Sequence, residues 1–323
     1  MIKVGIIGGA GYTAGELIRI LLQHPEVELV FVNSSSNAGN LLTDVHEGLL
    51  GDTDMRFTDA LPYARIDVLF FCTAHGDTRK FLEANDVPES LKIIDLSTDF
   101  RHREDGNRFV YGLPELNREV IRTAQYIANP GCFATAIQLA LLPLAAAGLL
   151  RSEIHINAIT GSTGAGVKPG ATSHFSWRNN NISVYKAFEH QHLDEIGQTL
   201  TLLQPDFNAA LLNFIPVRGN FTRGIFASVY LDFDGTQDDA NTLFRRYYAE
   251  RPFVTVTDAP PDLKQAVNTN KCILHVEKHR NKLLIISCID NLLKGASGQA
   301  VHNLNLLFGR PETEGLMLKA SAF

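Results

Sequence analysis

The 323-residue chain has no run of lysines and arginines, and its 29 basic residues are outnumbered by 35 acidic ones, for a formal net charge of −6. A nucleic-acid or anionic-membrane partner is therefore not expected. No apolar stretch reaches the roughly 18 residues that a membrane-crossing helix needs. Cysteine is scarce: Cys72, Cys132, Cys272 and Cys288 are the only four. They show neither CxxC pairing nor metal-ligand spacing, so neither a metal site nor a disulfide framework is expected. The opening residues, Ile2 to Ile7, read as a strand and not as the charged-then-apolar pattern of a signal peptide. A reduced, cytoplasmic setting is the expectation. Repeats and low-complexity linkers are also missing, and the length suits two domains.

What is present divides at Cys132. Before it, short apolar strand candidates at 2–7, 27–33, 66–72, 92–96 and 125–128 alternate with helical segments at 12–23, 77–85 and 117–122. That alternation predicts parallel βαβ units. After it come a long helix at 133–147 and strand candidates at 154–160, 211–217, 224–233, 253–257, 271–277 and 283–289. Helices are expected at 190–203, 238–249 and 296–308. This half reads as a mostly antiparallel sheet with helices on one face.

The first strand runs into Gly8-Gly9-Ala10-Gly11-Tyr12-Thr13-Ala14-Gly15, which opens a helix. Glycine there permits a tight turn and close backbone approach to a pyrophosphate held at the helix N-terminus. A purely structural tight turn is the alternative. The second strand ends in Asn33-Ser34-Ser35-Ser36-Asn37, with no acid to hold a ribose 2′-hydroxyl. Hydroxyls and amides suit a 2′-phosphate better, so NADP is expected over NAD.

Asn129-Pro130-Gly131-Cys132 places a thiol at a turn directly before an apolar helix. The positive end of a helix dipole favours thiolate over thiol, and a thiolate suits attack on an activated acyl group. The alternative is a small buried core residue. Arg101, in the polar strand end Asp95 to Arg101, has the donor fork to clamp a phosphate, or it pairs with Asp99 or Glu104 on the surface. His190 and His192 are two apart, which points them to opposite sides of a strand and off any shared helix face. Metal chelation by the pair is thus not expected, whereas one histidine serving Cys132 as general base is. The alternative is a helix-start histidine in solvent. Gly161 to Gly170 reads as either a second anion-contacting loop or a flexible connection. Asn291 to Ala300 leads into the last helix with small residues that allow close approach.

Together these segments resemble the N-acetyl-γ-glutamyl-phosphate reductases, within the aspartate-semialdehyde dehydrogenase group. Tyr111 to Leu116 and Asn303 to Gly309 carry the resemblance further, and it runs almost end to end. It implies a Rossmann NADP-binding domain from 1–131 plus 296–323 and an α+β catalytic and oligomerisation domain over 132–295. It also implies a homodimer or homotetramer acting on a small acyl phosphate. By resemblance Cys132 is the nucleophile and His192 the base, while Arg101, His190 and Ser162 bind substrate. The cofactor is assigned to Gly8, Gly11, Tyr12, Thr13 and Ala14, and to Ser34 and Ser35 at its 2′-phosphate end. His75, Ser97, Gly164, Asn291 and Gln299 complete that assignment. Departures from the family pattern are Phe133-Ala134 for Tyr-Pro, Ser35 for an arginine, and Gln191 and Asp194 in the histidine motif. The same chemistry would serve an N-succinyl substrate. The His-x-His motif argues against an aspartyl phosphate, and the intact site residues argue against a non-catalytic dinucleotide-binding regulator.

Overall fold

The structure, a computed structural model, describes residues 1–321. The chain begins β1 (Ile2–Ile7), α1 (Tyr12–Leu21), β2 (Val27–Asn33), β3 (Phe57–Thr58), β4 (Val68–Phe71), α2 (Asp77–Ala84), β5 (Lys92–Asp95), β6 (Val110–Tyr111), α3 (Pro114–Thr123) and β7 (Tyr126–Ala128). It continues α4 (Cys132–Ala146), β8 (Ile154–Thr160), α5 (Phe175–Arg178), β9 (Ser183–Val184), α6 (His192–Leu203), β10 (Leu212–Arg218) and β11 (Ile225–Asp232). It ends α7 (Gln237–Tyr248), β12 (Val254–Thr257), β13 (Cys272–His279), β14 (Lys282–Ile289) and α8 (Ser297–Leu307). Met1–Pro130 with Ala296–Met317 make one compact unit, and Gly131–Gly295 make the other. The tail from Leu318, which carries no helix or strand, groups with the second unit, where the sequence reading had kept it with the first. Positions 322 and 323 of that reading lie outside the described residues.

The first unit is an all-parallel sheet in the order β3-β2-β1-β4-β5-β7-β6. Its central strands are continuous apolar runs because both faces are covered: all four residues of β4 are buried. The strand order reverses between β1 and β4. Gly8 sits there at φ +79, and a Cβ on it would meet the Cys72 carbonyl group at 2.9 Å. β3 and β6 have two residues each, too few for any periodic signal. α3 starts at Pro114, ahead of the expected 117, because proline is preorganised for the first helical position. Asn117 departs from helical geometry (φ −117, ψ 22), so the regular pattern only begins after it.

The second unit is a mixed sheet, β12-β13-β14-β11-β8-β10-β9, antiparallel except at β8–β10 and β12–β13. One face alternates inward through Ile154, Ile156 and Ala158 of β8 and Ala227, Val229 and Leu231 of β11, all fully or nearly fully buried. α4 packs on β11 and β14, and α6 and α7 pack on α4. α4 is buried from Phe133 to Ala145 and apolar there except for Thr135 and Gln138, as expected of a central helix. Pro143 lies inside it and has no N–H for the Leu139 carbonyl one turn back. The Tyr248 hydroxyl of α7 donates to that carbonyl instead, at 2.5 Å.

Candidate active site

In the second unit Cys132 is the first residue of α4, after Gly131 in extended conformation. Cys72, Cys272 and Cys288 are buried, while Cys132 is only partly so. Burial pushes the Cys72 thiol up to about 12, and Cys288 higher still, so neither forms a thiolate at neutral pH. The Gly131 N–H donates to Glu195 Oε1 at 2.8 Å, which ties the start of α6 to the start of α4 beside the thiol. Gly295 comes in from the other side, where a Cβ would stand 2.7 Å from the Cys132 Cβ.

His190 and His192 meet, contrary to the sequence expectation. Their ring centroids are 4.7 Å apart, and the His192 N–H donates to His190 Nδ1 at 3.2 Å. The spacing argument fails because residues 189–191 are in neither strand nor helix: the chain turns at Gln191 to enter α6. Both imidazoles are buried, which removes the solvent-exposed alternative. Phe133, next to the thiol in the chain, has the His190 ring at 5.4 Å and the His192 ring at 6.2 Å. Burial, with help from Lys186 and Arg218, lowers the His190 pKa to about 4, so this ring is neutral in working conditions. Tyr185 lies 5.8 Å from His190, and burial raises its phenol to about 12. Among the described residues no group of three or more His, Cys, Asp or Glu is arranged to hold a metal ion.

In the Gly161 to Gly166 part of the loop most N–H groups are paired with main-chain carbonyls. Gly161 N–H donates to the Gly224 carbonyl, Ser162 to Phe221, Thr163 to Thr222 and Gly166 to Thr163. Gly161 serves close approach, since a Cβ on it would lie 2.4 Å from the Thr222 oxygen, and Gly166 takes a positive φ of +82. Gly164 stands at the exposed edge of this loop, and the Ser162 hydroxyl remains its polar group outside the main-chain network. Asn291 is committed to the same network: its Oδ1 accepts from Gly224 N–H at 2.6 Å and its Nδ2 donates to Thr163 Oγ1 at 3.0 Å. Asp290 beside it accepts from Arg223 and from the N–H groups of Asn268, Leu292 and Leu293.

In the first unit α1 starts at Tyr12 with no side-chain cap, so the N–H groups of Tyr12, Thr13 and Ala14 point out of its end. A Cβ on Gly11 would have its nearest neighbour 4.0 Å away, which leaves room for backbone approach by a ligand. Ser297 Oγ of α8 donates to the Thr13 carbonyl at 2.7 Å and fixes the loop. Ser34 follows β2, and its hydroxyl accepts from Asn37 Nδ2 at 3.1 Å; Ser35 begins the turn between them. Ser97 is engaged internally, donating to Asp95 Oδ2 at 2.7 Å and accepting from the Asp99 N–H. His75 is exposed after β4, and Gln299 is fully buried in α8.

Arg101 is neither the open phosphate clamp nor the surface ion pair that the sequence suggested. Its guanidinium is buried, with Nε donating to the Asn129 carbonyl and Nη2 to the Leu96 carbonyl, both at 2.8 Å. It clamps main chain just after β5, at Leu96, and just after β7, at Asn129, which lies three residues before Cys132 in sequence. Glu104 pairs instead with Arg79, and Asp99 takes the Gly76 and Arg79 N–H groups at the start of α2.

A family profile described as semialdehyde dehydrogenase, NAD binding domain, matches residues 3–124. Another, described as semialdehyde dehydrogenase, dimerisation domain, matches residues 132–291. The N-acetyl-γ-glutamyl-phosphate reductase of Bacteroides thetaiotaomicron is 66% identical over 323 residues, all of both chains. The protein of that name from Flavobacterium johnsoniae is 56% identical over 327 aligned residues, again all of both chains. This chain belongs to the N-acetyl-γ-glutamyl-phosphate reductase family. The fold extends further: aspartate semialdehyde dehydrogenase from Candida albicans, solved with NADP, superposes with a TM-score of 0.73 at 15% identity, covering 95% of this chain and 98% of the other. Aspartate semialdehyde dehydrogenase II from Vibrio cholerae gives 0.72 at 16% identity, with 96% and 98% covered.

Several side chains around the thiol of this reductase-family member escaped the sequence reading. Tyr185 and Arg218 carry no local motif and join these surroundings only through the fold, while Glu195 lay inside the histidine motif without a role assigned to it. Gly295 left one trace, as the glycine just before the small residues that open α8.

Proposed function

We propose that this chain reduces N-acetyl-γ-glutamyl phosphate to N-acetylglutamate semialdehyde and phosphate with NADPH, in arginine biosynthesis. The observation that carries this reading is the part-exposed thiol of Cys132 at the start of α4, with His190 and His192 around its neighbour Phe133. The full-length identity to reductases of that name supports the substrate.

The first unit fits a dinucleotide. The uncapped start of α1 offers N–H groups to a pyrophosphate, and the Ser34–Asn37 turn offers neutral donors without a carboxylate to repel a 2′-phosphate. His192 takes the thiol proton, and Cys132 attacks the γ-carbonyl carbon. The carbon–oxygen bond to phosphate breaks and a thioester forms on Cys132. NADPH, when bound, supplies the hydride that reduces this thioester. A thioester is electrophilic enough for that step, whereas an ester on serine is less so. His192 returns its proton as the carbon–sulfur bond breaks and the aldehyde leaves. His190 stays neutral and contributes hydrogen bonding, not charge. Arg101 acts as a positioning residue through the Asn129 carbonyl.

The chain works as a homo-oligomer in the cytoplasm, a dimer or tetramer built on the second unit's sheet. The sheet face turned away from α4 carries half-exposed His155, Phe226 and Leu284 together with Tyr230, which is 42% exposed. A second copy of this face is its partner.

The test offers N-acetylglutamate semialdehyde, phosphate and NADP⁺ to the purified protein and follows NADPH absorbance, with aspartate semialdehyde in parallel. Phosphate-dependent turnover of the glutamate compound alone is expected. Turnover of the aspartate compound alone, or none with either, would sink the proposal.

A further inference from the structure

Arg218 ends β10 in the second unit and is half-buried. Its guanidinium lies over the Tyr185 ring, 4.7 Å from the centroid. Nη1 approaches the Ser162 carbonyl at 3.4 Å, a long contact. Tyr185 in turn meets His190 edge to face, and His190 meets His192 and Phe133, beside Cys132, in the same way. Arg218 therefore stands at one end of an unbroken line of side chains that leads to the thiol.

Among the described residues, no carboxylate is paired with it. Its partners are a carbonyl, a phenol and an aromatic ring. The surrounding charge is of its own sign: Lys186 precedes the histidines, and Arg178 lies beneath. Arg178 is a structural cation, since its donors reach the carbonyls of Thr172, Asn181 and Arg218 and the Ser183 hydroxyl. It fixes the Arg218 main chain, while the Arg218 guanidinium stays over the Tyr185 ring. A partly desolvated guanidinium with no anion of its own is prepared to take one, and its planar fork matches a carboxylate.

We propose that Arg218, seated on Tyr185, is the carboxylate anchor of this active site. It pairs with a substrate carboxylate other than the acyl group that reacts at Cys132. This rests on the acyl-phosphate reductase reading above and deepens it. A carboxylate has two possible sources in such a substrate: the α-carboxylate of the glutamyl part, or the free end of a dicarboxylic N-acyl group such as succinyl.

The test compares wild type, Arg218→Gln and Arg218→Lys in the phosphate- and NADP⁺-dependent oxidation of N-acetylglutamate semialdehyde and N-succinylglutamate semialdehyde. Removing one charged hydrogen-bonded pair should lower kcat/KM by about 10- to 100-fold, mostly through KM, with partial recovery in the lysine variant. An equal loss on both compounds assigns the α-carboxylate. A loss confined to the succinyl compound assigns the acyl end. Unchanged kcat/KM on both, or a fall in kcat at constant KM, overturns the proposal. A second readout does not need turnover: alkylation of Cys132 by anionic iodoacetate and by neutral iodoacetamide, followed by peptide mapping. The iodoacetate-to-iodoacetamide rate ratio should fall several-fold in Arg218→Gln, and an unchanged ratio contradicts an anion-directing Arg218. If wild type oxidises neither semialdehyde, the functional reading fails, while the alkylation ratio still decides the role of Arg218.

Discussion

His190 stays neutral in the range where an ordinary histidine takes up its proton, and this has a consequence for stability. Its folded pKa of about 4 lies below that of an unfolded histidine, roughly 6.5. Above the unfolded value neither state binds the proton, and the full contribution to stability is present. As pH falls from there towards 4, the unfolded chain takes up a proton that the folded one refuses, so stability declines. Urea unfolding of wild type and His190→Asn at pH 7 and pH 4.5 checks this. The variant should lose less stability on acidification, and equal losses would contradict a buried neutral ring. At this scale the place of Cys132 at the start of α4 was legible, because a Pro-Gly turn before an apolar run is a local pattern. Arg101 was legible only as a motif. Its guanidinium turns inward to carbonyls at the ends of two strands, and no local spacing reveals that.

Among the elements, α4 depends on its neighbours at two points. Pro143 leaves the buried Leu139 carbonyl without its helical donor, and Tyr248 of α7 supplies one. Tyr248→Phe should cost about 1–3 kcal/mol, the usual penalty for orphaning a buried polar group. The penalty should shrink in a Pro143→Ala background, where the helix N–H returns. The same penalty in both backgrounds, measured by denaturant titration, would show that this bond is not what couples α7 to α4. At the other end Glu195 of α6 holds the Gly131 N–H. Glu195→Ala should lower kcat at temperatures where the variant stays fully folded, because the lost bond lies next to the thiol; a lower melting temperature with kcat unchanged would speak against this. The strands of the first unit were readable as apolar runs, since burial on both faces removes the polar alternation. The two-residue strands β3, β6 and β9 were not, because so short a stretch has no period. The parallel pairings β8–β10 and β12–β13 were hidden too, since strand direction is set by where the chain returns.

For the whole molecule, the parallel sheet with its glycine loop forms one unit, and the mixed sheet covered by the thiol-bearing helix α4 forms the other; the proposed mechanism gives the first the dinucleotide and the second the acyl group. The proposed oligomer contact is the sheet face of the second unit turned away from α4. Tyr230→Asp together with Leu284→Asp should shift the protein to monomer in light scattering while the helix-covered face keeps the unit folded. Retention of the wild-type mass would place the oligomer contact elsewhere. The central claim, however, is the bond to Cys132. It is tested by mixing the protein with N-acetylglutamate semialdehyde and NADP⁺ without phosphate, then analysing the digested protein by mass spectrometry. The account predicts about one equivalent of NADPH per site and an acyl adduct on the peptide containing Cys132, both lost in Cys132→Ser. No adduct on that peptide, or an equal burst from the serine variant, would contradict it.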